Sequence, residues 1–306
     1  MKKFGLTGYP IAHSKSPALF KAAYGGRDSY NLIETPDFTT AYKTFIDGYD
    51  AINVTAPFKG EACAAAAILS HACIVTGSAN VLMKTSKGVE ARNTDIDGVR
   101  ACIHEMLDLP ASELSLSRAN AAGPEGSGDG HHHHHAPKIA PKYGVGRTAL
   151  IVGCGGAGKA AAYAAALEEF QLILMNRNSL KAEVYARKLV NMGKAPAGSV
   201  KTATLATFQD CFAQADLVIW TLPVKTPELE ALEAALDTEQ PMLERPKAII
   251  EANYKDPAFS GALARKLEEK GVRLCRGERW LLHQGVAAYK IFTGEAPDIE
   301  AMAKVL

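Results

Sequence analysis

Ala149-Leu150-Ile151-Val152 runs directly into Gly153-Cys154-Gly155-Gly156-Ala157-Gly158 and then into an alanine-rich stretch ending near Phe170. An unbroken apolar run of this kind predicts a strand covered on both faces, as in a parallel sheet. The loop fits G-x-G-x-x-G, and its place between a strand and a helix is the context that gives the pattern meaning. Glycines allow a tight turn and a close backbone approach to a pyrophosphate, and the helix N-terminus presents free N–H groups to the anion. The stretch therefore predicts a Rossmann-type doubly wound sheet. Its dinucleotide site is expected on Gly153, Gly155, Gly156, Ala157 and Gly158.

The next strand, Leu172 to Met175, selects the dinucleotide. A carboxylate near its end would bind a ribose 2′-hydroxyl. The chain has Asn176-Arg177 there instead, with Lys181 four residues beyond Arg177. A guanidinium matches phosphate oxygens in geometry and charge, so NADP is expected, with Asn176 and Arg177 in its site.

Working outward, strands and helices alternate on both sides. Upstream, strands are expected at Lys3–Gly8, Tyr30–Ile33 and Ala51–Val54, and a hairpin at Ala79–Lys84 and Gly88–Arg92. Helices are expected from Ser16-Pro17, at Tyr42–Ile46, at Glu61–Leu69 and at Asp97–Leu109. Downstream, helices are expected at Leu180–Met192, Gly261–Lys270, Trp280–Phe292 and Pro297–Leu306, with strands at Leu217–Leu222 and Ala248–Glu251. The alternation marks an α/β protein. Residues 112–146 break the pattern with Gly, Ser, Pro and Ala and with the run His131 to His135. Imidazole runs bind transition metals, but this composition favours a low-complexity loop or an internal tag over a preorganised site. No metal is expected. Two domains follow: residues 1–100 completed by 279–306, and residues 101–278.

Composition narrows the function. The 306 residues are 47% hydrophobic and 22% charged with a net charge of +1, which disfavours nucleic acid or an anionic membrane as partner. The six cysteines form no C-x-x-C pair, in keeping with a reducing cytoplasm. Neither a signal-peptide pattern nor a membrane-length apolar run is visible. A small molecule is the expected partner, for a monomer or homodimer.

Polar groups cluster after the upstream strands, where open α/β sheets bind ligands. Gly8 to Pro17 holds Ser14 and Ser16 beside a helix start, a seat for a carboxylate. Asn53 to Lys59 places Lys59 beyond the third strand. Gly77 to Asn80 and Asn93 to Gly98 follow the same logic, and Asp95 is expected just ahead of a helix. Gln284-Gly285 is expected to open or interrupt one. A lysine beside a carboxylate suits ketone reduction, which needs a proton at the developing alkoxide.

These segments, in order, resemble the shikimate dehydrogenase family. The matches are G-x-P-x-x-H-S-x-S-P at Gly8–Pro17, N-V-T-x-P-x-K at Asn53–Lys59, Ala79-Asn80, N-T-D-x-x-G at Asn93–Gly98, the glycine loop, Asn176-Arg177 and Q-G-x-x-A at Gln284–Ala288. The resemblance implies reversible, NADP-dependent reduction of 3-dehydroshikimate to shikimate, in the route to chorismate and the aromatic amino acids. It implies Lys59 and Asp95 as the catalytic pair. Ser14 and Ser16 would hold the substrate carboxylate, with Thr55 nearby. Asn80 and Gln284 would hold ring hydroxyls together with the pair, and Tyr254 would face the substrate. Trp220 to Lys225 departs from the family's N-A-T-P-x-G, keeping only Pro223, and Pro257 is displaced by one position after Tyr254. Two alternatives stay open: a quinate/shikimate dehydrogenase of broader substrate and cofactor range, and a non-catalytic nucleotide sensor.

Overall fold

The computed structural model describes residues 1–107, 142–238 and 247–306. The histidine run and most of the 112–146 segment lie outside them.

The first sheet has six strands: β1 (Lys3–Gly8), β2 (Ser29–Glu34), β3 (Ala51–Val54), β4 (Ile68–Leu69), β5 (Val81–Thr85) and β6 (Gly88–Arg92). Their order is β2-β1-β3-β5-β6-β4. Only β5 runs antiparallel to its neighbours, because the hairpin to β6 reverses the chain. Helices α1 (Ser16–Tyr24), α2 (Phe38–Gly48), α3 (Lys59–Ala65) and α4 (His71–Thr76) connect the strands. Pro17 sits in the first turn of α1, where its missing N–H costs nothing. The stretch Glu61–Leu69 is not one helix. α3 stops at Ala65, Ile68–Leu69 pairs in parallel with β6, and Ser70 caps α4 by accepting from Cys73 N.

The second sheet has the order β12-β11-β10-β7-β8-β9, all parallel. Its strands are β7 (Thr148–Val152), β8 (Gln171–Met175), β9 (Val200–Ala203), β10 (Leu217–Trp220), β11 (Ala248–Glu251) and β12 (Arg273–Cys275). Helix α5 (Asp95–Met106) leads out of the first sheet. Then α6 (Gly156–Leu167), α7 (Ser179–Asn191), α8 (Phe208–Gln214), α9 (Pro227–Ala235) and α10 (Gly261–Glu269) alternate with strands. Ala149 and Ile151 join one core cluster, Leu150 and Val152 the other. Both faces are thus covered, as the apolar run predicts.

The last helices, α11 (Gly277–Thr293) and α12 (Ile299–Lys304), return to the first sheet. Leu282, Tyr289, Phe292 and Met302 pack with Phe4, Leu19 and Phe20, and the Phe4 and Phe292 rings stack at 4.9 Å. Gln284-Gly285 neither opens nor interrupts α11 but lies in its middle. A Cβ at Gly285 would lie 2.8 Å from Leu19 Cδ2, so glycine here serves close packing. Residues of α4, α5 and α6 share one core cluster that joins the two sheets.

Candidate functional site

β7 is followed by Gly153, whose φ of +106° is a backbone state that side-chain-bearing residues rarely adopt. The chain turns there and starts α6 at Gly156. A Cβ on Gly158 would overlap the Gly153 carbonyl oxygen, so the loop folds tightly onto its own helix. Thr221 Oγ1 donates to Val152 O at 2.8 Å from the neighbouring strand end. The glycines leave the backbone of the turn without side chains of its own at four positions, and this is the cradle a pyrophosphate needs. The residues present fit a dinucleotide.

On the side of the first sheet, Lys59 opens α3 and Asp95 opens α5. The helix cap is Thr94, so Asp95 lies inside the first turn rather than ahead of it. Lys59 Nζ donates to Asp95 Oδ2 at 2.6 Å. Asp95 is held from three directions. Its N–H donates to Asn93 Oδ1 at 3.0 Å, its carbonyl accepts from Trp280 Nε1 at 3.0 Å, and its Oδ1 lies 3.3 Å from Asn80 Nδ2. Asn80 is itself fixed, donating to Thr94 Oγ1 at 2.8 Å and accepting from Thr94 N at 2.7 Å. Gln284 Oε1 lies 3.4 Å from Asn80 Nδ2, while Gln284 Nε2 donates to Leu281 O.

One cavity of about 230 Å³ is lined by Ser14, Ser16, Thr55, Lys59, Asn80, Asp95, Tyr254 and Gln284. These residues come from both ends of the chain and from both sheets, and Ala157 of the glycine loop joins them. Burial raises the pKa of the Tyr254 phenol, and hydrogen bonds from Lys15 N–H and Ser14 partly offset the rise.

Among the other lining residues, Asn53, Trp280 and Lys255 carry polar groups and no role from sequence. Asn53 is buried, accepts from Tyr30 Oη at 2.9 Å, and leaves its Nδ2 without a partner among the described residues. Asn53 begins the same segment as Lys59, which is the signal that pointed to it. Lys255 is exposed at the rim, and only its place beside Tyr254 hints at it.

A second cavity of about 610 Å³ meets the glycine loop at Cys154, Gly155 and Gly156. Its walls are the Ala56–Gly60 and Thr76–Ser78 segments and one face of α7, and Lys59 borders both cavities. Asn176 and Arg177 follow β8 but do not line this cavity. Arg177 is exposed, and Asn176 Nδ2 donates to Asn178 O at 3.1 Å.

Trp220 points away from both cavities. It is fully buried, edge-on to Phe208 and Phe259 at 5.7 Å each, and donates from Nε1 to Leu222 O. Among the described residues no group of three His, Cys, Asp or Glu side chains is placed to hold a metal ion. No described helix is long and apolar enough to cross a membrane.

Sheet order, glycine turn and the lysine–carboxylate cavity together define a Rossmann-type protein of two sheets with a polar cavity between them. Residues 6–82 match the model of the shikimate dehydrogenase substrate binding domain, and residues 281–306 that of the shikimate 5′-dehydrogenase C-terminal domain. An NADP(+) shikimate dehydrogenase of Anaeromyxobacter dehalogenans (strain 2CP-C) is 29% identical over 310 residues, covering 99% of this chain and 95% of that protein. The structure of Mycobacterium tuberculosis shikimate dehydrogenase is similar with a TM-score of 0.73, 25% identity and coverage of 100% and 98% of the two chains. That of Corynebacterium glutamicum quinate dehydrogenase in complex with NAD shares the fold, with a TM-score of 0.74, 21% identity and coverage of 99% and 98%. The chain is thus similar to shikimate dehydrogenases over nearly its whole length and matches that family's domain models at both ends.

Proposed function

We propose that the protein catalyses the reversible, NADP-dependent reduction of 3-dehydroshikimate to shikimate. One observation carries the reading. The serine pair, Thr55, the Lys59–Asp95 pair, Asn80, Tyr254 and Gln284 line a single cavity that the glycine loop also borders. Residues 1–100 with 279–306 are read as the substrate-binding unit and 101–278 as the NADP-binding unit. The return of α11 and α12 to the first sheet supports this division. Six free cysteines fit a protein of the reducing cytoplasm, read as a monomer or homodimer.

Bound NADPH would supply hydride to the ketone carbon. Gly153, Gly155, Gly156, Ala157 and Gly158 would hold its pyrophosphate, with Asn176 and Arg177 toward the 2′-phosphate. Lys59 gives a proton to the oxygen as it becomes an alkoxide, and Asp95 holds the ammonium in line. Ser14 and Ser16 take the carboxylate. Asn80 and Gln284, side by side in the cavity wall, orient the ring hydroxyls. In the reverse direction Lys59, deprotonated, takes the proton back.

The purified protein is given shikimate or quinate with NADP+ or NAD+, and reduced nicotinamide is followed by absorbance. Turnover is expected to be fastest with shikimate and NADP+. Comparable rates with quinate and NAD+ would replace the reading by a broader dehydrogenase, and no turnover with any pair would sink the enzyme reading.

A further inference from the structure

The 610 Å³ cavity holds more positive charge than a pyrophosphate cradle needs. Lys59, Lys159, Lys181 and Lys188 line it, and no carboxylate does. Lys59 is paired with Asp95, while the other three have no ion-pair partner among the described residues. Lys159 Nζ lies over the Tyr185 ring at 5.8 Å. The pKa of Lys188 is lowered, first by burial and then by Lys159, with Cys63 acting the other way. Like charges drawn together beside a cavity repel unless an anion lies between them. The neutral wall adds an independent sign. Ser78 Oγ is buried, lines the cavity and has no hydrogen-bond partner among the described residues. It lies 2.8 Å from where a Cβ on Gly156 would stand, so the orphan hydroxyl faces the start of α6 from the first sheet's side.

We propose that Ser78, Lys159 and Lys188 form a phosphate seat across the two sheets, separate from the Asn176–Arg177 end. The phosphate is either one of the dinucleotide's own or a free phosphate, and the dinucleotide option rests on the cofactor reading above. Charged donors converging on phosphate give short, strong hydrogen bonds. Burying an unpaired hydroxyl is otherwise unfavourable.

The test uses the full-length protein at constant ionic strength, with Lys188→Gln and Ser78→Ala variants. Binding of NADP+ and of inorganic phosphate is measured by calorimetry, and ligand-free melting reports folding. Each variant is expected to weaken phosphate-bearing ligands roughly tenfold, the worth of one charge-assisted hydrogen bond. Competition between inorganic phosphate and NADP+ in the wild type assigns the seat to the dinucleotide, and additive binding assigns it to free phosphate. Variants that melt and bind both ligands like the wild type overturn the seat. If Ser78→Ala melts early, Lys188→Gln alone decides. Wild-type protein that takes phosphate but neither NADP+ nor NAD+ sinks the cofactor reading and leaves the seat standing.

Discussion

Lys59 and Asp95 form a part-buried pair at 2.6 Å whose charges cancel. A substrate carboxylate entering the cavity therefore meets Lys255 as the remaining lining cation. The two lysines should separate kinetically. Lys59→Ala, which removes the proposed proton donor, should lower kcat by roughly 100- to 10,000-fold while NADPH affinity stays near wild type. A kcat close to wild type would take Lys59 out of proton transfer. Lys255 is exposed, and exposed charges are worth about 0–1 kcal/mol. Lys255→Ala should therefore raise the KM for shikimate by no more than roughly fivefold, with kcat unchanged, and added salt should erase the difference. A drop in kcat, or a KM effect indifferent to salt, would contradict a purely electrostatic role.

At the scale of elements, β7, the glycine turn and α6 act as one part, and Gly158→Ala tests it. The added Cβ would meet the Gly153 carbonyl oxygen, a backbone atom that cannot swing aside. Overpacking costs about 1–3 kcal/mol, so the variant should melt lower and bind NADP+ more weakly; unchanged melting would show that the turn has room. This part was legible in the sequence because an apolar run, a glycine pattern and an alanine-rich helix coincide. Elsewhere local signals were too thin. β9 and β12 are short, carry exposed residues and sit at the two edges of their sheet, so neither shows an apolar run. In Glu61–Leu69 the residues suit a helix, yet β6 claims Ile68 and Leu69 as a strand, a long-range pairing that no local propensity reports. The same holds within the site. Ser14, Lys59 and Asp95 stood out through their motifs. Lys255 entered only when folding brought β11's end against α1's start, and the lysine face of α7 acquired meaning only opposite Ser78.

Across the whole molecule, α5 and α6 set the distance between the two halves of the site. Asp95 opens α5 and Gly156 opens α6, and both starts border the cavities. At the other end the helices are tied through Glu168, the C-cap of α6. Its Oε1 accepts from His104 Nε2 at 2.7 Å and Arg100 Nη2 at 3.0 Å, all three side chains being well buried. Burial alone would raise the Glu168 carboxyl, but the hydrogen bonds and charges of His104 and Arg100 outweigh it and hold it at about 2, below its ordinary 4.5. A carboxyl depressed by folding adds stability that is full above its unfolded value and is lost as pH falls toward the folded one. The tie should thus hold above about pH 4.5 and fade between there and pH 2, a change of roughly 3 kcal/mol. Glu105 reinforces the trend on the α11 side. Burial would raise it as well, but His283 and Arg279 lower it to about 2. Glu168→Gln keeps the shape and removes the charge, leaving Arg100 buried without its partner. Its urea midpoint should fall below wild type at neutral pH, and its acid dependence between pH 4.5 and 2 should be shallower. Equal midpoints for the two proteins across that range would mean that the helices keep their spacing by packing alone.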